Sequence, residues 1–108
     1  MRRGEVWTAA GSGYLSKPKP VVIIQSDEFR DFDSLVVCLL TTQERLEGSQ
    51  TRVRIEPSMD NGLDVVSYAM TEKIVTLRAE RLGRRVGILS AHDMDAISRQ
   101  IAIVLGLS

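Results

Sequence analysis

The chain has 108 residues, and its 14 Lys plus Arg are balanced by 14 Asp plus Glu. One domain over 1–108 is expected, with no overall field to attract a polyanion, so any positive surface must be local, and Arg2, Arg3, Lys17 and Lys19 are its suppliers near one end of the fold. The single Cys excludes a disulfide framework, and no apolar run at the N-terminus suits a signal peptide or membrane span, which makes a reducing cytoplasm the expected setting.

The first predicted strand is 5–8. A loop follows over 9–19, with Gly11, Ser12, Gly13, Ser16 and Pro18 around Tyr14 and Leu15. Its backbone is permissive and its tip carries an aromatic ring, a composition that suits a mobile flap. Strands are predicted over 20–26 and 35–41, where successive apolar residues such as Val21 to Ile24 imply burial on both faces. Cys38, inside the second of these, reads as a small buried apolar group. The loop 43–50 holds Gln43, Glu44, Arg45 and Glu47 and reads as recognition surface or as solvated chain.

Residues 51–56 alternate, which predicts a strand with one wet face bearing Arg52, Arg54 and Glu56. Strands are predicted again over 65–71 and, shorter, over 74–77 and 86–88. The period then changes. Ser90 to Asp93 fits a capping box, and Met94, Ile97, Ile101, Val104 and Leu105 follow at helical spacing, with Gly106 as the stop. The fold class expected is mainly β with α, a small SH3-like barrel closed by a C-terminal amphipathic helix.

The chemistry available is narrow. One histidine, His92, falls in the first turn of the helix, so a paired-histidine acid and base cannot be built within one subunit. No His, Cys or carboxylate cluster has metal-ligand spacing, and no cofactor is expected. Trp7 reads as core or dimer interface and Tyr68, on a strand, as packing.

Three stretches, Arg3-Gly4-Glu5-Val6-Trp7, Lys17-Pro18-Lys19-Pro20 running into Val21 to Asp27, and Leu39-Leu40-Thr41-Thr42, have the order and spacing of one family. They resemble the MazF/PemK-type toxin endoribonucleases of type II toxin–antitoxin systems. The resemblance implies a homodimer that cuts single-stranded RNA at a short sequence without metal, leaving a 2′,3′-cyclic phosphate and a 5′-hydroxyl. It also implies an antitoxin whose extended acidic segment blocks the groove. Thr41 falls on the family's catalytic Thr, and Lys19 stands where most members carry Arg. An ungapped alignment through 62–67 sets Glu72 where relatives carry Glu or Asp. Thr76 then falls on the Thr of the family's Ile-Arg-Thr segment, with Val75 in place of its Arg.

The catalytic candidates are thus Lys19, Thr41 and Glu72, and the substrate-binding candidates Arg3, Ser12, Tyr14, Lys17, Gln43 and Thr76. Lys19 offers three donors on a compact charge where Arg offers a fork, and lysine as a class gives up its proton more readily. Two other readings remain: a gyrase-poisoning toxin of the CcdB type, whose C-terminal Trp this chain lacks, and an RNA-binding member of the fold with weakened catalysis.

Overall fold

The protein is described by a computed structural model covering residues 1–44 and 50–108, with Tyr14 described by its backbone alone. Arg45 and Glu47 of the predicted recognition loop lie outside the described residues. Six strands form one antiparallel sheet: β1 (Glu5–Ala9), β2 (Lys19–Ile23), β3 (Ser34–Thr41), β4 (Arg52–Ile55), β5 (Ser67–Arg78) and β6 (Leu82–Ile88). Their order across the sheet is β4-β5-β3-β2-β1-β6, and the helix α1 (Ala91–Val104) follows the last strand.

Two of the expected strands merge. The 65–71 and 74–77 segments are the halves of β5, joined through a register break against β3: Leu39 pairs with Met70, whereas its neighbour Cys38 pairs with Ile74. Thr71, Glu72 and Lys73 are the extra residues at that break, and such a bulge bends the strand and re-aims its side chains. β2 starts one residue earlier than predicted, which brings Lys19 into the sheet opposite Ala9.

Apolar runs without alternation in β2 and β3 are explained by a core on each face of the sheet. Val21, Ile23, Leu35, Val37, Leu39 and Met70 bury one face, capped by Leu15 from the 9–19 loop. Val22, Cys38, Leu40, Ile55 and Ala69 bury the other, capped by Ile97 of α1. Each such side chain, fully buried, stabilises the fold by roughly 1.5–3 kcal/mol. The loop expected as a flap is therefore anchored at its middle, with Leu15 only 6% exposed.

The sheet stays open between its edge strands β4 and β6, and the turn that leaves β4 spans the gap. The Ile88 N–H donates to the Asp60 carbonyl at 2.9 Å. Two glycines allow this approach: a Cβ on Gly62, where φ is +68°, would stand 2.1 Å from the Val86 carbonyl oxygen, and one on Gly87 would stand 2.4 Å from the Asn61 backbone. Buried Asn61 braces the turn, accepting from the Ser58 and Leu63 N–H groups at 3.0 Å each and donating to the Glu56 carbonyl at 2.9 Å. With α1 packed on β4 and β5, this gives the SH3-like plan expected from the sequence.

Helix α1 is delimited as its sequence dictates. The Ser90 hydroxyl accepts from the Asp93 N–H at 3.1 Å, as an N-cap should. At the other end Gly106 adopts φ +73°, and the Leu107 and Gly106 N–H groups return to the Ala102 and Ile103 carbonyls at 2.7 and 3.1 Å. That is a Schellman stop, which needs the positive φ.

Candidate active site

Lys19 and Thr41 are brought together by strand register. The β2–β3 pairs run Ile23 to Val37, Val22 to Cys38 and Val21 to Leu39, and the same register carried two residues further would set Lys19 opposite Thr41, with which it lines one pocket. Thr41 in turn pairs with Tyr68. Because paired residues share a face, Lys19, Thr41 and Tyr68 form one row at about 5 Å spacing, directly beyond the buried row of Val21, Leu39 and Met70. Lys19 and Thr41, with Gln43, line a pocket of about 280 Å³.

Both key groups are poised to donate. The Gln43 N–H donates to the Thr41 Oγ1 at 3.2 Å, a turn held by a hydroxyl at the strand end. This uses one lone pair and leaves the hydroxyl proton without an acceptor among the described residues. Lys19 is half-buried and has no ion pair among the described residues. An ammonium and a hydroxyl facing one pocket suit a tetrahedral oxyanion.

Glu72 does not join that pocket. Lying at the β5 bulge, it turns to β4: its Oε1 accepts from the Thr51 hydroxyl at 2.7 Å, and its Oε2 accepts from Arg52 Nη2 at 3.1 Å and Nε at 3.4 Å. Burial pushes its carboxyl up, but the bonds from Thr51, from its own backbone N–H and from Arg52, together with the Arg52 charge, outweigh that and hold it below the usual range. A carboxylate so engaged has low proton affinity. Cys38, nearby on β3, is pushed up to about 12 by burial and by the Glu72 charge, so its thiol is inert.

The substrate-binding candidates divide. Ser12 and Thr76 line a second, larger groove of about 650 Å³ between the 9–19 loop and β5, where Leu15 supplies an apolar wall and Arg78 and Arg81 supply charge. Tyr14 lies in a short 3-10 turn, Gly13–Leu15, whose first and last residues line that groove. Lys17 is exposed in the loop that leads into β2 and lines neither cavity. Arg3 is not with them, contrary to the expectation of one basic end: its guanidinium donates to the Ile24 carbonyl and the Ser98 hydroxyl, and its N–H donates to Asp27 at 2.8 Å. These contacts lie past the far end of β2 from Lys19, where Arg3 ties β1, β2 and α1 together.

Two site neighbours escaped the sequence reading. Tyr68, expected as packing, pairs with Thr41 across the β3–β5 ladder, and its hydroxyl donates to the Glu44 carboxylate at 3.1 Å. Arg52, read as part of a wet face, is 10% exposed and holds Glu72 while its Nη1 donates to the Gln43 carbonyl at 3.3 Å. Its partner Glu72 is 20 residues away in sequence, so no local pattern signals it.

Known proteins are similar to this chain in sequence and fold. The sequence pattern of the "PemK-like, MazF-like toxin of type II toxin-antitoxin system" matches residues 2–105. A "Probable endoribonuclease MazF" of Mycolicibacterium smegmatis is 40% identical over all of this chain and 99% of its own. An "Endoribonuclease MazF" of Staphylococcus saprophyticus is 34% identical over 99% of this chain and 92% of its own. Among solved structures, a mycobacterial endoribonuclease in complex with its cognate antitoxin superposes with a TM-score of 0.83 at 28% identity, covering 100% of this chain and 97% of that one. The Mycobacterium tuberculosis toxin MazF-mt6 gives 0.81 at 27% identity, covering 96% and 98%.

Proposed function

The chain belongs to the PemK-like, MazF-like toxin family, and we propose on that footing that it is an endoribonuclease whose phosphate site is the Lys19–Thr41 pocket. The observation that carries this reading is the pair itself: a cation without an ion pair among the described residues and a hydroxyl with its proton available, one strand apart and facing one cavity. In the proposed step the ribose 2′-oxygen attacks the adjacent phosphorus and gives up its proton, and the bond from phosphorus to the 5′-oxygen breaks. The leaving 5′-oxygen takes a proton, so the products are a 2′,3′-cyclic phosphate and a 5′-hydroxyl. Lys19 and Thr41 stabilise the charge that builds on the non-bridging oxygens, which is the largest contribution a fixed site can make.

Glu72 serves this site as a fixed anion beside Arg52 rather than as the proton carrier, because both of its oxygens are already engaged. A single strand of RNA would run from the pocket into the larger groove, with Ser12, Thr76, Lys17 and Tyr14 at its border and Arg78 and Arg81 supplying local charge that the neutral chain lacks overall. The family relationship supports a homodimer and an antitoxin segment, extended and acidic, that competes for the same groove.

The test is incubation of the purified chain with a long RNA in EDTA, followed by mapping of both new ends. Cuts at a short recurring sequence with cyclic-phosphate and 5′-hydroxyl ends are expected. Activity lost in EDTA and restored by Mg²⁺ would overturn the metal-free step.

A further inference from the structure

Arg52 is an enclosed guanidinium beside the pocket, its side chain 10% exposed. Its fork reaches two separate elements: Nε and Nη2 donate to Glu72 on β5, and Nη1 donates to the Gln43 carbonyl in the turn after β3. Gln43 is the residue whose N–H donates to the Thr41 Oγ1. Glu72 is held from its other side by Thr51 at 2.7 Å. A continuous series of bonds therefore runs from Thr51 through Glu72, Arg52 and the Gln43 backbone to the Thr41 hydroxyl.

We propose that Arg52, anchored by Glu72, is a positioning residue for Thr41: it fixes the Gln43 backbone so that the Thr41 hydroxyl spends its lone pair on the Gln43 N–H and aims its proton into the pocket. The planar fork of arginine is what makes this work, since one guanidinium can meet a carboxylate and a carbonyl at once, whereas a lysine amine at the same place satisfies one or the other. The bonds that the guanidinium itself makes are long, between 3.1 and 3.4 Å, and each is weak alone. Their effect lies in direction, because a hydroxyl turned away by one rotamer no longer meets the phosphate oxygen. The bulge in β5 has a role here too: it releases Glu72 from the β3 ladder and lets it turn to Arg52.

The kinetic part of this inference rests on the endoribonuclease reading above; the conformational part does not. Arg52→Lys is therefore compared with the parent both in the Thr41 protein and in Thr41→Val, by single-turnover RNA cleavage and by amide exchange at Gln43. In the Thr41 protein Arg52→Lys should lower kcat by about tenfold to a hundredfold with KM little changed, as a small misplacement of a catalytic group does. In Thr41→Val it should cost nothing further, and it should speed Gln43 amide exchange in the folded protein. Equal losses in both backgrounds, or unchanged Gln43 exchange, would overturn the proposal. If the parent chain does not cut RNA, the cleavage reading fails by itself and the Gln43 exchange decides the positioning role. If Arg52→Lys does not fold, Glu72→Gln, which weakens the same anchor, takes its place with the same expected results.

Discussion

The two ends of the β1–β2 ladder carry charge in opposite ways. At the end where β1 begins, Glu5 accepts from the Arg2 N–H at 2.9 Å, the Trp7 ring N–H at 3.1 Å and Arg85 Nε at 3.0 Å, while Arg3 is taken up by Ile24 and Ser98. At the other end, where β1 finishes beside the start of β2, Lys19 has no ion pair and the Thr41 hydroxyl proton no acceptor among the described residues. The difference separates two uses of polar residues in one small fold. A saturated network stabilises only itself, whereas an unsaturated one, held in place by neighbours, is available to a ligand.

Changes at the two ends should therefore have opposite signatures. The largest effect is expected from Thr41→Ala, which should slow the cleavage step on the order of a hundredfold to a thousandfold while leaving the melting temperature nearly unchanged. A matching loss of stability would place Thr41 with the saturated end. Lys19→Met should follow, with a cleavage loss of about a hundredfold in a folded protein; full cleavage would pass the role to Lys17.

Glu5 should behave the other way. Burial would raise its carboxyl, but the bonds from Arg2, Trp7 and Arg85 and the nearby N-terminal charge lower it to about 2. A folded-state value below the ordinary 4.5 means the carboxylate stabilises the fold above about pH 4.5 and loses that effect as pH falls towards 2. With one pKa unit close to 1.4 kcal/mol, the contribution at pH 7 is at most about 3.5 kcal/mol. Glu5→Gln should thus be less stable in urea at pH 7, with the gap narrowing at pH 3. A gap that stays constant with pH would show that packing, not charge, is what Glu5 supplies.

The smallest effect is the most discriminating. If Lys19 serves as a charge on the phosphate, Lys19→Arg should preserve or improve cleavage, since Arg keeps the cation and adds a fork. A depressed rate with an altered pH profile would instead assign proton transfer to Lys19, because guanidinium does not deprotonate near neutrality.

Local chemistry along the chain determined much of this protein. The β-branched runs placed the strands, Ser90 and Gly106 placed the ends of α1, and the motifs around Lys19 and Thr41 marked two residues that the fold sets in one pocket. These signals are legible because each depends on neighbours in sequence, through strand propensity, capping or a turn. Only the tertiary structure decided the fates of Arg3, Glu72 and Arg52. A basic residue near the N-terminus looks like any other until the sheet carries it past the far end of β2. A carboxylate on a strand looks available until a bulge turns it to a partner 20 residues away. Whether a charge is spent or free depends on long-range register and burial, which arise from packing the whole chain at once.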